Sequence, residues 1–431
     1  INFARYCLPQ VFFYGMFVLV GQILNARGRF GPMMWAPIAN NVISVLVLVI
    51  YLLSFGPAEG AERCGGYATG QELLLGLGST AGIVAQFAIL LPYLRAAGFT
   101  FQPRFDFRGT GLGHTLRLGS WTLGFVLVNQ IAYTVVVRLA SSGTAQAAVD
   151  SCGATSQGQG TGYAVYASTF LIMMVPHSVV TVSLATAILP RLSAKAAGGD
   201  LAGLASTLSG TLRTTLVLII PFAALLPLIA IDLSNVILGY GAARDTFDLY
   251  ALSLALFGPG LVFFTVHYLM LRGFYALEQT RTAFWVQTVI AVANIGVALL
   301  LVTNSSAVNT APALVLAYLS AYVVGSAVSY ALLRRRLGGL QTPRLLRFLA
   351  RMAVAVPVAT AAAAGVAHLI RSNVEEPSQL VAGLSALAIT VVDVVVFLLL
   401  ARLLRITEVT SVLGLVTQRL GSRRQGSQQA P

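Results

Sequence analysis

The chain is dominated by apolar runs that are each long enough to cross a lipid bilayer. One helical crossing needs about 20 mostly apolar residues, and eleven such runs follow one another. Because a segment in lipid must pair its own backbone polar groups, and the alternating pattern of barrel strands is absent from the sequence, the runs are predicted to be helices. They lie at about 5–25, 33–55, 72–93, 116–141, 163–188, 212–231, 248–272, 281–302, 312–333, 346–369 and 379–404. The pattern predicts an all-α, polytopic membrane protein.

The basic residues between the runs orient these helices. Of the 27 Lys and Arg residues, 22 fall in the loops of one side and four in those of the other. By the positive-inside rule the basic side is the cytoplasm. Residue 1 is then predicted to be outside and residue 431 inside, as an odd number of spans in the plasma membrane requires.

The composition agrees with this class and changes the meaning of the net charge. With 57% hydrophobic and 10% charged residues, the chain is not a soluble globular protein. A net charge of +13 would suggest nucleic-acid binding in a soluble protein, but here it reports sidedness. We therefore expect membrane lipids as partners and no nucleic acid.

Two stretches of the chain resemble each other and indicate an internal repeat. The turn NARGRF, with Arg29, precedes Asn40 in the next run, and the turn EQTRTAF, with Arg281, precedes Asn294 in the run that follows it. The copies lie six spans apart, which is typical of transporters built from repeated bundles. Because the first copy begins at its fourth span, we expect about three spans before residue 1, twelve spans in the repeated core and two extra spans at the end.

Four segments carry a resemblance to a known family, and the last of them is the most specific. They read GQILNARGRFGPMMWAPIANN (21–41), LPYLRAAGFTFQPRFDF (91–107), VPHSVVTVSLATAILPRLS (175–193) and LRGFYALEQTRTAF (271–284). The chain resembles the MviN/MurJ family of lipid II flippases, in the multidrug/oligosaccharidyl-lipid/polysaccharide exporter superfamily, and an actinobacterial member in particular. The resemblance implies a fourteen-span fold of two six-span bundles and two terminal helices, of which eleven spans are present here.

This fold implies a division of the chain into four parts. Residues 1–110 would hold the last three spans of the first bundle and a cytoplasmic interfacial loop, and 111–337 the second bundle. Residues 338–404 would form two terminal spans with a groove for a lipid tail, and 405–431 a cytoplasmic amphipathic segment and linker. Actinobacterial relatives often continue into a kinase-like region, so such a region or a regulatory protein is an expected cytoplasmic partner.

The resemblance also implies a function. Members move the undecaprenyl-pyrophosphate-linked peptidoglycan precursor from the inner to the outer leaflet by alternating access. The sequence contains no P-loop, paired catalytic carboxylates or nucleophile constellation, so we expect no enzyme activity, no cofactor, and transport driven by an ion gradient or the membrane potential. Two alternatives stay open: another exporter of the same superfamily, or a transport-dead membrane scaffold for cell-wall synthesis.

One position departs from the family pattern. In the family, an arginine of the central cavity stands on the eighth span, five residues before a proline. The corresponding proline is Pro176, and Leu171 occupies the place of the arginine. Three interpretations stay open. This branch binds the headgroup with other groups, its cavity depends entirely on spans before residue 1, or its transport is impaired.

Polar residues within the spans are the candidate cargo-binding residues, because ionisable groups in a bilayer are expensive and usually functional. Asn129, Gln130, Thr134 and Arg138 lie on the 116–141 run, and the last three share one helical face. Arg138 is close enough to the outer end of this run to act as an interfacial anchor instead of a cavity cation.

Two further polar residues in spans have both a functional and a structural interpretation. His177 follows Pro176, where a helical hydrogen bond is lost, so it is either a helix–helix partner or a polar group of the cavity. Asp393 is the only carboxylate deep in a span and is either a helix–helix partner or an ion-coupling group.

The cysteines and histidines suggest one structural bond and no metal site. Cys64 and Cys152 both fall in predicted outer loops, where an oxidising environment permits a disulfide between the loop before residue 72 and the loop 141–162. His267 and His368 have no acid, cysteine or histidine at ligand spacing, so no metal is expected.

Overall fold

The described part of the chain is helical throughout its regular elements. A computed structural model describes residues 2–56, 67–100, 112–153, 160–241, 244–374 and 377–409. In chain order the helices are α1 (Asn2–Cys7), α2 (Pro9–Ala26), α3 (Gly31–Phe55), α4 (Thr69–Ala96), α5 (Leu112–Gly153), α6 (Tyr163–Pro176), α7 (Ser183–Ala197), α8 (Leu201–Leu238), α9 (Asp248–Ala276), α10 (Thr280–Thr303), α11 (Thr310–Arg336), α12 (Thr342–Arg371) and α13 (Gln379–Leu403).

These helices form eleven elements that are long and apolar enough to cross a membrane. Helices α1 and α2 together make the first, and α6, a π-helical turn and α7 together make the fifth. Each of the other helices makes one. The predicted eleven spans and the all-α fold are confirmed.

The helix α5 is longer than the sequence pattern predicts. The apolar run ends near residue 141, where a loop was expected, but the helix continues to Gly153. Three alanines, Ala145, Ala147 and Ala148, favour this continuation because alanine has the highest helix propensity. The first part of the expected loop 141–162 is therefore helical.

The first 110 residues form a compact unit of their own, Ile1–Thr110. In this unit α4 packs against α1, α2 and α3. A side-chain contact supports the apolar packing, because Gln10 Nε2 donates to Ser79 Oγ at 2.9 Å. The buried apolar core consists of Phe17, Val20, Leu24, Ala36 and Leu90.

The second compact unit, Gly111–Pro431, has α8 and α9 at its centre. Asp200 begins α8 by accepting a hydrogen bond from the Gly203 backbone N–H at 2.7 Å, which satisfies one of the free donors of the first turn. Helix α8 packs against α9, α12 and α13, and α9 packs against α11. The largest side chains that α8 and α9 bury completely are Leu204, Leu208, Leu212, Ile219, Leu226, Leu254, Phe257 and Phe274.

The two terminal helices are fastened to α8 at both ends. Arg371, at the end of α12, donates through Nη2 to Asp232 Oδ2 at 2.8 Å and to the Leu228 carbonyl oxygen at 2.6 Å. In the first third of α8, Arg213 Nη1 lies 3.2 Å from Glu408 Oε1. Glu408 belongs to the segment after α13.

The π-helical turn His177–Val182 begins directly after Pro176. Proline has no N–H and its ring crowds the preceding turn, so the regular hydrogen-bond ladder shifts there. The disruption predicted at this proline is therefore present, and it takes the form of a π-helical turn, a feature often found at functional sites.

Two predictions fall wholly or partly outside the described residues. Cys64 lies outside them, and only the backbone of Cys152 is described, in the last turns of α5, so the Cys64–Cys152 disulfide stays a prediction. Of the segment 405–431 the structure describes the part up to Val409, in which Ile406 and Val409 are buried against the core of the second unit.

Candidate functional site

A cavity inside the second unit is lined by amides and aromatic rings. It lies among α5, α6, α9, α10 and α11 and has a volume of about 360 Å³. We call it the aromatic–amide cavity. Its lining consists of Asn129, Gln130, Ala132, Tyr133, Val136, Tyr166, Phe170, Phe264, Gln287, Ile290, Ala291, Asn294, Tyr318 and Tyr322.

The polar part of the lining is incompletely hydrogen-bonded. Gln287 Nε2 donates to Asn129 Oδ1 at 3.1 Å and so links α10 to α5. Asn294 Oδ1 and the Tyr318 hydroxyl are buried and have no hydrogen-bond partner within the protein. Buried polar atoms are rarely left unpaired, so these two groups are suited to a polar guest or water.

Aromatic rings form a second part of the wall. The ring centroids of Tyr318 and Tyr322 are 4.6 Å apart, and Phe264 meets Tyr322 edge-on at 4.9 Å. Phe170 contacts Tyr318 in the same manner at 5.9 Å. Among the described lining residues none is charged. The cavity therefore offers apolar ring faces together with neutral donors and acceptors, a combination suited to hydroxyl and amide groups.

The predicted stripe on α5 is divided by the structure. Asn129 and Gln130 line the aromatic–amide cavity, whereas Thr134 and Arg138 do not. The Thr134 hydroxyl donates to the backbone oxygen of Gln130 at 2.8 Å, within its own helix. Arg138 is exposed and lies well before the end of α5 at Gly153, so the helix does not end at this residue.

His177 is buried beside the cavity without lining it. Its Nδ1 lies 3.4 Å from the Thr265 hydroxyl of α9. Its ring centroid lies 4.6 Å from that of Phe264, which does line the cavity. The structure thus places His177 in the first position of the π-helical turn, with its ring packed against α9.

The position of the missing arginine is apolar and exposed. Leu171 is 68% exposed, and Val175 and Val179 continue the same exposed line along the helix. No cationic group replaces the expected arginine on this line.

Of the lining residues that the sequence analysis did not predict, four carry polar groups on α10 and α11. Gln287 and Asn294 are amides seven residues apart on one face of α10, a spacing that could have identified them. Tyr318 and Tyr322 stand four residues apart on α11, but tyrosine within an apolar run is ordinarily interpreted as core.

Two further polar residues of the spans, Asp393 and His267, contact polar groups of neighbouring helices. Asp393 is buried and accepts a hydrogen bond from the Thr360 hydroxyl of α12 at 3.5 Å. His267 Nδ1 lies 3.4 Å from Ser329 Oγ of α11. Within the described ranges no three His, Cys, Asp or Glu residues are grouped as a metal would need.

A second, mainly apolar cavity of about 450 Å³ lies at the end of α13. Arg402 is its charged lining residue, and Ile406 and Val409 belong to the segment after the helix. The other lining residues are Val395, Leu398, Leu399 and Ala401. The walls of this cavity suit hydrocarbon.

Comparison with known proteins gives one consistent family. The profile of the family described as "Lipid II flippase MurJ" matches residues 1–383. Two relatives, each named "Probable lipid II flippase MurJ", are 24% identical over 69% of this chain (Haemophilus influenzae) and 26% identical over 74% (Rhizobium meliloti). The chain spans about half the length of these relatives, 54% and 55% respectively.

A solved structure supports the fold. "Lipid II flippase MurJ, inward closed conformation" superposes with a TM-score of 0.62 at 16% identity, covering 92% of this chain and 72% of that one. The family profile covers most of the chain, and the eleven apolar helices make it a multi-pass protein of the plasma membrane. The chain belongs to the MurJ family.

Proposed function

We propose that the protein is a flippase that moves lipid II, the undecaprenyl-pyrophosphate-linked peptidoglycan precursor, from the inner to the outer leaflet. The observation that carries this proposal is the family match over residues 1–383. The names of the relatives agree with it.

The two cavities support the proposal because the cargo has two unlike parts. A sugar and peptide headgroup needs polar partners while it crosses hydrocarbon, where unpaired polar groups are costly. We propose that Asn129 and Gln130, in the aromatic–amide cavity, contact this headgroup. The polyprenyl tail needs an apolar surface, and α12, α13 and the apolar cavity at the end of α13 would supply it.

The test is rescue of a bacterium depleted of its own lipid II flippase. We expect this gene to restore growth and to restore the fraction of lipid II that is accessible from outside the cell. Failure of the outer-leaflet fraction to recover, with the protein present in the membrane, would contradict the proposal.

The exposed apolar line at Leu171 favours one alternative, a transport-dead scaffold for cell-wall synthesis. A scaffold would rescue growth without restoring outer-leaflet lipid II. Another exporter of the superfamily is disfavoured, because such a protein would lack the two terminal spans α12 and α13.

Thr134 and Arg138 on α5, and His177 in the π-helical turn, remain proposed cargo-binding residues. The exposed guanidinium of Arg138 lies outside the aromatic–amide cavity, so it would act before or after the headgroup occupies that cavity. If it contacts the cargo, Arg138→Ala should sharply reduce rescue, and unchanged growth would leave it as an interfacial anchor. A kinase-like cytoplasmic region or regulatory protein is proposed as a partner from the family resemblance alone.

A further inference from the structure

Arg272 is a cation within α9 that the protein itself satisfies only in part. It lies one turn before the end of the helix at Ala276 and is partly buried. Its guanidinium stacks over the Tyr268 ring, 4.5 Å from the centroid, and its Nη2 donates to the Tyr268 hydroxyl. The Nε–H is buried and has no hydrogen-bond partner.

Two other arginines of the second unit each have a carboxylate partner, which Arg272 lacks among the described residues. Arg213 has Glu408 at 3.2 Å, and Arg371 has Asp232 at 2.8 Å. Within the described ranges no carboxylate oxygen lies within 4.0 Å of Arg272. A partly buried cation without a counter-charge is unfavourable, so a negatively charged partner from outside the protein would stabilise it.

The surroundings of Arg272 favour a phosphate on a lipid over a free ion. Arg272 is partly buried, and the Tyr268 ring beneath its guanidinium is itself met edge-on by the His177 ring at 4.9 Å. Guanidinium binds phosphate oxygens with paired, charge-assisted hydrogen bonds, which are stronger where water is scarce. The phosphate of a lipid is held at the membrane by its hydrocarbon chain, so it is already close to a site on a membrane helix, whereas a free phosphate ion is not.

The position of Arg272 on α9 connects it to the aromatic–amide cavity. Phe264, Tyr268 and Arg272 follow one another at intervals of four residues and therefore share one face. Phe264 lines the cavity. Arg272 lies about 12 Å further along the helix, at the end predicted to be cytoplasmic.

We infer that Arg272 binds the phosphate group of a lipid at the cytoplasmic end of α9. Two lipids carry this chemistry: the pyrophosphate cargo and an anionic phospholipid. That the bound lipid is the cargo rests on the proposed function. That Arg272 binds a lipid phosphate does not.

The test is lipid retention by the purified protein in phosphatidylcholine nanodiscs, measured by native mass spectrometry. The probes are undecaprenyl pyrophosphate, phosphatidylglycerol, and undecaprenol as the probe without phosphate. We expect Arg272→Ala to retain at least tenfold less undecaprenyl pyrophosphate and an unchanged amount of undecaprenol. Arg272→Lys should be intermediate, because lysine keeps the charge but loses the paired donors.

Arg244→Ala is the matched control. Arg244 is exposed, and its substitution removes the same single charge from the side of the membrane predicted to be outside. It should retain both phosphate lipids as the unaltered protein does. A tenfold loss of phosphatidylglycerol alone would identify the phospholipid as the ligand of the same site.

Unchanged retention of both phosphate lipids by folded Arg272→Ala and Arg272→Gln proteins would overturn the inference. That result would leave the proposed function untouched if the unaltered gene still restores outer-leaflet lipid II. Conversely, a retention defect combined with failed rescue by the unaltered gene would refute only the proposed function.

Discussion

The hydroxyl group of Tyr318 is buried in the wall of the aromatic–amide cavity without a hydrogen-bond partner. Removing an unpaired buried hydroxyl removes a desolvation penalty of about 1 kcal/mol or more. We therefore expect Tyr318→Phe to leave the thermal stability of the protein unchanged or slightly increased. If the hydroxyl binds the cargo, outer-leaflet lipid II in the rescue assay should fall several-fold.

Ser253→Ala is the control for this substitution. Ser253 also buries an unpaired hydroxyl on α9, but it does not line the cavity. It should show the same stability response with normal transport. Normal transport by Tyr318→Phe would remove its hydroxyl from the list of cargo contacts.

Asp393 allows its two interpretations to be separated by a single atom change. If the carboxylate serves only as acceptor for the Thr360 hydroxyl, Asp393→Asn keeps that acceptor and should retain transport. Thr360→Val removes the donor and should lower the free energy of unfolding by about 1 kcal/mol. Loss of transport in a stable Asp393→Asn protein would instead indicate ion coupling.

The residues of the cavity show how far sequence reasoning reaches. Asn129 and Gln130 were predicted because amides in an apolar run are conspicuous, and both line the cavity. Thr134 shares a helical face with Gln130, but its hydroxyl bonds to its own helix. Periodicity gives the face of a side chain and not its partner, so the tyrosines of α11 could not be assigned in the same way.

At the scale of elements, the pair α12 and α13 is held to α8 by groups at both ends. Arg371→Ala breaks the ion pair with Asp232, whose carboxylate is buried, and frees the Leu228 carbonyl. Because Arg371 is itself partly exposed, we expect a loss of about 1–2 kcal/mol in the free energy of unfolding. Thermal unfolding of the purified protein measures this change.

A double substitution shows whether this loss comes from the ion pair. Asp232→Asn together with Arg371→Ala should cost less than the two single changes added together, since neither partner is then left charged and buried. Strict additivity would show that the two groups are not coupled.

Element boundaries were predicted less well than element number. The lipid requires about 20 apolar residues for each crossing, so all eleven spans could be recognised from composition. Nothing in that requirement limits a helix to the membrane, and α5 continues through polar residues to Gly153. The irregularity after Pro176 was predictable because the missing N–H is a local property of proline.

At the scale of the whole molecule, the charge distribution predicts which ends of the helices face the cytoplasm. In a background without native cysteines, Arg244→Cys should react with a membrane-impermeant maleimide added to intact cells. Arg335→Cys, at the end of α11, should react only after the cells are opened. The reverse pattern would invert the predicted topology.

The two ion pairs on α8 also act as markers of depth. Arg213 and Asp232 are 19 residues apart on one continuous helix, a separation of about 28 Å along its axis. The hydrocarbon layer of a bilayer is about 30 Å thick, so each pair would lie near one of its boundaries. In a bilayer of longer-chain lipids both ion pairs would lie inside the hydrocarbon layer. The protein should therefore be most stable in a bilayer whose hydrophobic thickness matches the distance between the pairs.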